Sequence, residues 1–436
     1  MICSPILKKE GRVLKPVLLR SPPKTKQNMK RQERARRMKS EPVSALANQI
    51  LQEQGPNHHI DYALLNIIVI LIAIGLVSIL SASAHVAQAQ MGDASYYFKK
   101  QLVGVALGLV AMFFAIRIDI YKLPRYIKPL MVASILLLLA THIPGIGITS
   151  KGSSRWIHLM GLVFQPSEIA KPVLVMYLAA ILGHPMAQSL RRREKLEILA
   201  PVAAILMIIL TEPDLGTTIV VSGTVLILYI AAGMKFWKVA ALIISGGLGF
   251  FIMSWSTPYQ QARITSWLNP WSDPQGKGFH LIQSLIAIGS GGFFGNGFGQ
   301  SVQKLFYLPE QHTDFIFAVI SEEFGFVGVC LLLLLFILLA QRGTAIAVKA
   351  PTPYLKILSM GLACMVVMQA WVNLAVVSGS IPTTGLTLPF ISFGSSSMIV
   401  NLAAMGLLLN ISRYVPSALK PPARQTDKNL QAAQNS

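Results

Sequence analysis

Residues 283–328 read QSLIAIGSGGFFGNGFGQSVQKLFYLPEQHTDFIFAVISEEFGFVG. The stretch opens on a short apolar run and passes six glycines between Gly289 and Gly299. It then crosses a polar segment with Lys304, Glu310, His312, Thr313 and Asp314, and enters a long apolar run at Phe315. An apolar run of that length, entered from a polar loop, predicts a helix that starts at a membrane surface. Asp314 therefore stands where an amphiphilic molecule would present its head group. The glycines allow close backbone approach to a ligand, or positive φ without steric cost. Asp314 is the leading candidate for a reactive group.

The rest of the chain supports the membrane reading. Of 436 residues, 53% are hydrophobic and only 13% charged, and the mean hydropathy is +0.56. A soluble domain would carry about a quarter charged residues. Apolar blocks recur at roughly 62–82, 100–116, 129–143, 167–182, 198–211, 215–232, 238–255, 315–340, 357–378 and 394–411. The expected fold is all-α: a polytopic integral membrane protein of about ten transmembrane helices, with one large loop (256–314) between spans 7 and 8. Residues 60–414 form the membrane domain, flanked by a basic tail (1–59) expected to be disordered and a C-terminal tail (415–436). The loop holds Trp267, Trp271, Phe279 and the apolar run Leu281–Ile288, which argues for a folded loop lying back on the membrane.

The net charge of +20 invites a nucleic-acid reading until it is located. Much of it lies in the first 59 residues, and the rest mainly in short loops such as Arg117–Lys128, Arg191–Lys195 and Arg342–Lys356. Those loops fall on one side of an even number of spans, so both termini are expected in the cytoplasm and the 256–314 loop outside. Lys99 and Lys100 fall on the outer side and run against this pattern. Contact with anionic lipid accounts for the charge, and no nucleic-acid partner is implied. Cys3, Cys330 and Cys364 make neither a metal motif nor a disulfide framework. The glycines of 289–299 lack the GK[ST] of a phosphate loop, and the histidines lack metal-ligand spacing.

Several polar groups stand out against the apolar background. Asp314 reads either as a helix N-cap or as a base taking a proton from an attacking hydroxyl, a role worth roughly 10²–10⁴ in rate. Glu322 and Glu323 follow within the same span, where an acid costs about 2.5–3.5 kcal/mol and marks a polar interior path. At 100° per residue Glu322 falls near Asp314, and Glu323 falls opposite. In KGSSRWIHLMGLVFQPSEIAK, Arg155 and Trp156 precede a helix start at which Glu168 and Lys171, three apart, share a face and can pair. Thr211–Thr218, TEPDLGTT, reads as a tight hairpin carrying Glu212 and Asp214. Ile381–Ser397, IPTTGLTLPFISFGSSS, is irregular backbone between spans, tolerated only where it is buried in protein or lines a cavity.

At these residues the chain resembles the SEDS family (shape, elongation, division and sporulation) of the FtsW/RodA type. The resemblance runs from about Asp61 to Tyr414 and rests on GSSRWI, FQPSEIAK, EPDLGTT, ARITSWLNPWSDPQGKGFHLIQS, YLPEQHTDFIFA and GLTLPFISFGSSS. The wording of the last two leans to the division branch. Two positions depart from it: Thr384 stands where that branch usually has lysine, and Phe393-Gly394-Ser395-Ser396-Ser397 replaces Tyr-Gly-Gly-Ser-Ser.

The resemblance implies a peptidoglycan glycosyltransferase that polymerises lipid II at the outer face of the bacterial cytoplasmic membrane. It would act at the division septum with a class B penicillin-binding protein and other divisome membrane proteins. Asp314 aligns with the family's essential aspartate, and Glu168 and Lys171 with its acidic and basic pair. Arg155, Arg263, Lys171 and Lys304 are the cations expected near the undecaprenyl pyrophosphate of the donor glycan, with Trp156, His312, Thr313 and Glu322 completing the substrate site. A divalent cation stays open. Two other classes fit parts of the pattern: a transporter of lipid II, which needs its ionisable site near the midplane, and a scaffold, which needs no polar cavity. Ser359 and Ala363 in the ninth span have the small-xxx-small spacing of a close helix contact, which serves either the partner interface or packing inside the bundle.

Overall fold

The computed structural model describes residues 59–150, 153–159, 162–184, 192–212, 214–235, 237–244, 246–247, 258–305 and 308–415. The N-terminal tail up to residue 58, the C-terminal tail beyond 415 and the second half of the predicted seventh span lie outside them. Eleven helices are labelled here among the described residues: α1 (Tyr62–Met91), α2 (Tyr96–Arg117), α3 (Leu123–Ala140), α4 (Pro166–Leu182), α5 (Arg192–Thr211), α6 (Leu215–Ala231), α7 (Pro258–Leu268), α8 (Phe279–Ser290), α9 (Ile316–Lys349), α10 (Pro353–Val377) and α11 (Ser395–Ser412). Six of them, α1, α2, α3, α9, α10 and α11, are long and apolar enough to cross a membrane. The fold is an all-α polytopic membrane bundle.

Local sequence sets where the helices begin. Asp61 caps α1, its Oδ1 accepting from Leu64 N at 3.0 Å, and Thr352 caps α10 ahead of Pro353 in the first turn. α4 opens on Pro166, whose fixed φ suits a first helical position. α4, α10 and α11 are buried along most of their length. On α2, Val103, Leu107, Val110 and Phe114 are exposed along one helical stripe, the face a bilayer covers. Its opposite face lies on α11 so closely that a methyl group at Gly108 would stand 2.5 Å from Leu402 Cδ1. Small residues permit that approach.

The basic loops gather at one end of the bundle. Tyr354 Oη donates to Ile120 O at 3.3 Å, joining the start of α10 to the α2–α3 loop. Asn410 Nδ2 donates to Ala115 O and Ile118 O at 3.0 and 2.6 Å, and Arg342 pairs with Asp61 at 2.6 Å. Asp314 and the 381–394 loop lie at the other end, where α9 begins and α10 finishes. The 256–314 segment folds there as α7, a 3₁₀ turn (Pro270–Ser272) and α8. Trp267 Nε1 donates to Gly379 O at 2.8 Å and Ser284 Oγ to Val377 O at 2.7 Å, fastening the segment over the end of α10.

Three findings amend the sequence reading. First, the segment before α4 forms a small antiparallel sheet, β1 (Gly147–Ser150), β2 (Ser153–Leu159) and β3 (Leu162–Phe164), in that order. Second, of the two readings open for Ser359 and Ala363, the structure takes the bundle interior. Both are buried in the bundle, and a methyl at Gly343 of α9 would stand 2.3 Å from Ala363 Cβ. Their small size serves the α9–α10 contact instead.

Third, the glycines of 289–299 approach protein backbone. Gly325, at φ 62 and ψ −163, interrupts α9, so carbonyls and amides on either side of the break lose their helical partners. The glycine segment supplies them. Asn296 N and Gly297 N donate to Glu322 O and Glu323 O, both at 3.0 Å, while Phe326 N and Val327 N donate to Gly292 O and Phe293 O at 3.0 and 3.2 Å. A methyl at Gly295 would stand 2.1 Å from Glu323 O. Non-helical backbone at this depth is tolerable because protein completes it.

Candidate active site

Asp314 lies just outside α9. The helix N-cap position falls at Phe315, the residue after Asp314. The main chain around it is held on three sides. Thr313 N and Phe315 N donate to Glu310 O at 3.1 and 3.3 Å, closing a turn through Glu310 at φ 55. Ser392 Oγ donates to Thr313 O at 2.6 Å and Phe393 N to His312 O at 2.9 Å. Asn373 Nδ2 donates to Asp314 O at 2.8 Å and to Leu386 O at 2.7 Å. The 381–394 loop thus clamps the 310–314 turn.

The side chain of Asp314 ends over Gly385. A methyl there would lie 3.6 Å from Asp314 Oδ2 and 3.3 Å from Arg155 Nη1. Base candidate and guanidinium converge on one small patch of backbone. Arg155 arrives from β2, where alternation sends it and Trp156 to opposite faces, and its Nε donates to Glu212 O at 3.1 Å. Arg263 on α7 donates through Nη1 to Thr383 O at 3.1 Å, two residues before Gly385.

Glu212 follows α5 and is buried, its Oε1 accepting from Thr141 Oγ1 at 2.9 Å. Burial pushes its pKa up to about 8; the Thr141 hydrogen bond opposes this and nearby Asp214 adds to it. Asp214 itself caps α6, accepting from Thr217 N at 3.1 Å and Thr217 Oγ1 at 2.8 Å. The EPDLGTT hairpin reading holds for Asp214, while Glu212 O anchors Arg155.

Glu168 and Lys171 pair at 2.8 Å with both side chains buried. Lys171 Nζ also donates to Gln369 Oε1, and Gln369 Nε2 donates to Thr387 O at 3.0 Å. The pair therefore stands behind the Gly385 patch, linked to it through α10. His312 packs its ring 4.4 Å from Tyr97 and 5.8 Å from Phe393, and burial lowers its pKa against the pull of Glu310. Thr313 Oγ1 donates to Glu310 Oε2 at 2.9 Å.

Two named candidates sit elsewhere. Lys304 Nζ is buried against Glu323 Oε1 at 2.8 Å, and Ser81 Oγ donates to the same carboxylate at 2.6 Å. Glu322 accepts from Ser301 Oγ, from Val302 N at 3.0 Å and from Gln303 N at 3.3 Å. The angular argument that set Glu322 beside Asp314 assumed a helix through residue 314. α9 begins at Ile316, and Glu322 closes the 301–303 turn instead. The residues that the sequence reading passed over are Gln369, Asn373 and Gly385. The available signal was a pair of carboxamides in an otherwise apolar span.

The comparisons agree with this architecture. The family model described as cell cycle protein, for FtsW, RodA and SpoVE, matches residues 62–416. The chain is 43% identical over 355 residues to stage V sporulation protein E of Bacillus subtilis (strain 168), covering 81% of this chain and 97% of that one. It is 38% identical over 366 residues to a probable peptidoglycan glycosyltransferase FtsW of Geobacter sp. (strain M18), covering 82% and 98%. Its structure is similar to a chain of a peptidoglycan synthase complex solved for its coordination of polymerization and crosslinking (TM-score 0.67, 34% identity, covering 82% and 98%). It is also similar to the rod shape determining protein RodA of Thermus thermophilus (TM-score 0.61, 30% identity, covering 83% and 99%). The chain belongs to the SEDS family of FtsW, RodA and SpoVE.

Proposed function

We propose that this protein is a peptidoglycan glycosyltransferase that polymerises lipid II, with Asp314 as its base. The observation that carries the reading is the convergence of Asp314 Oδ2 and Arg155 Nη1 over Gly385. The Asp314 carboxylate takes the proton of the acceptor sugar 4-hydroxyl. That oxygen forms a bond to the anomeric carbon of the lipid-linked donor as the bond from that carbon to the pyrophosphate oxygen breaks. The electron pair leaves with undecaprenyl pyrophosphate, and the configuration inverts. Arg155 and Arg263 are the cations placed to meet the charge that develops on the leaving group.

The wider setting belongs to the same proposal. The basic end of the bundle faces the cytoplasm with both termini, ten spans cross the cytoplasmic membrane, and the Gly385 end faces outward. The FtsW names among the relatives support work at the division septum, and the synthase complex supports a crosslinking partner, taken as a class B penicillin-binding protein. The test is purified protein with labelled lipid II, with and without that partner. Glycan polymer is the expected product. Label that crosses a bilayer without polymerising would overturn the reading in favour of transport.

A further inference from the structure

A base and its cations must be held in one frame, and here the frame comes from a helix that supplies none of them. α10 carries two carboxamides, Gln369 and Asn373, four residues apart and so on one face. Both are fully buried. Both hydrogens of Asn373 Nδ2 go to main-chain carbonyls, of Asp314 at 2.8 Å and of Leu386 at 2.7 Å. Because both partners are acceptors, the orientation of the amide is determined. One turn earlier, Gln369 accepts from Lys171 Nζ and donates to Thr387 O at 3.0 Å.

Leu386 and Thr387 are consecutive, and they follow Gly385, the residue over which Asp314 and Arg155 meet. We propose that Gln369 and Asn373 are positioning residues for glycosyl transfer: they fix the Asp314 main chain and the Lys171–Glu168 pair to the single dipeptide Leu386–Thr387. The proposal rests on reading Asp314 as the base. Asn373 sets where the carboxylate stands relative to Arg155, and Gln369 sets where the buried pair stands relative to both. Neither touches the reacting atoms.

The experiment uses full-length protein with its transpeptidase partner and labelled lipid II, with rates taken per folded, monodisperse molecule. Asn373→Leu keeps side-chain size but removes both donors. Its kcat should fall about 10²-fold, as for a catalytic group misplaced by an ångström, with KM within about twofold. Leu362→Ala, a cavity variant earlier on α10, should lower the unfolding temperature and leave both constants unchanged. A kcat for Asn373→Leu near wild type would overturn the proposal. Gln369→Leu combined with Asn373→Leu should cost less than the product of the single effects, since both act through one loop; fully multiplicative losses would overturn the shared frame. Polymer from Asp314→Asn would overturn the base reading and this proposal with it. An inactive Asp314→Asn beside a fully active Asn373→Leu would overturn this proposal alone.

Discussion

Lys304 Nζ lies 2.8 Å from Glu323 Oε1, with both side chains shielded from solvent and Ser81 Oγ bonded to the same carboxylate. The pair joins the segment after the glycines to α9 and α1. Removing one member strands a charge in low dielectric, which costs about 3–5 kcal/mol, whereas replacing both by apolar groups is often neutral. Lys304→Met alone should sharply lower the yield of folded protein, and Lys304→Met with Glu323→Met should recover it. If the double variant polymerises lipid II normally, Lys304 works in the fold rather than on pyrophosphate.

Asp314→Asn separates chemistry from structure. Asparagine keeps the shape of aspartate and its capacity to accept from a helix-end amide, so the substitution leaves the start of α9 after Phe315 in place. The unfolding temperature should stay within about 1 °C of wild type, a shift of roughly 1 kcal/mol for a protein of this size. Polymer formation should fall by at least about 10²-fold. Equal activity in a lipid II assay would remove the base.

Gly385→Ala tests the meeting point. The new methyl would stand 3.3 Å from Arg155 Nη1 and 3.6 Å from Asp314 Oδ2, so the guanidinium must yield by a few tenths of an ångström while the carboxylate stays in ordinary contact. Turnover should drop severalfold, up to about 10-fold, with little change in folded yield. Wild-type turnover would mean that reactants do not approach across this patch.

Glu212 predicts a pH dependence. Its pKa of about 8, against 4.5 for an ordinary glutamate, means that the folded protein holds this proton more tightly than the unfolded chain. The stability it contributes is full below 4.5 and is lost as pH rises through 8. Glu212→Gln fixes the neutral form, so its unfolding temperature should decline less than wild type's between about pH 5 and pH 9. Parallel declines would show that the carboxyl does not titrate in this range.

The sequence disclosed what is local. Helix-length apolar runs gave the bundle, and a spacing of three on one helix gave the Glu168–Lys171 pair, found at 2.8 Å. Position at the head of a span singled out Asp314. What stayed hidden depends on distant partners. Nothing near Asn373 in the chain says that it grips a carbonyl 59 residues away. The three-stranded sheet that delivers Arg155 is short and edged with polar residues, so it read as loop. Glu322 went astray because a helix was extended two residues too far, and a rotation of 100° per residue magnifies that error.

The interruption at Gly325 separates α9 into a part that follows Asp314 and a part that lies along the membrane. The first part, with Glu322 and Glu323, is bonded to the glycine segment on one side and to the 301–304 turn on the other. In an unbroken helix, inserting one residue would swing everything beyond it by 100°. Here an insertion past residue 327 turns only the membrane-embedded length. That length takes its register from partners of its own, the Arg342–Asp61 pair and the Gly343–Ala363 contact, so the end beside Asp314 and the membrane length are located independently.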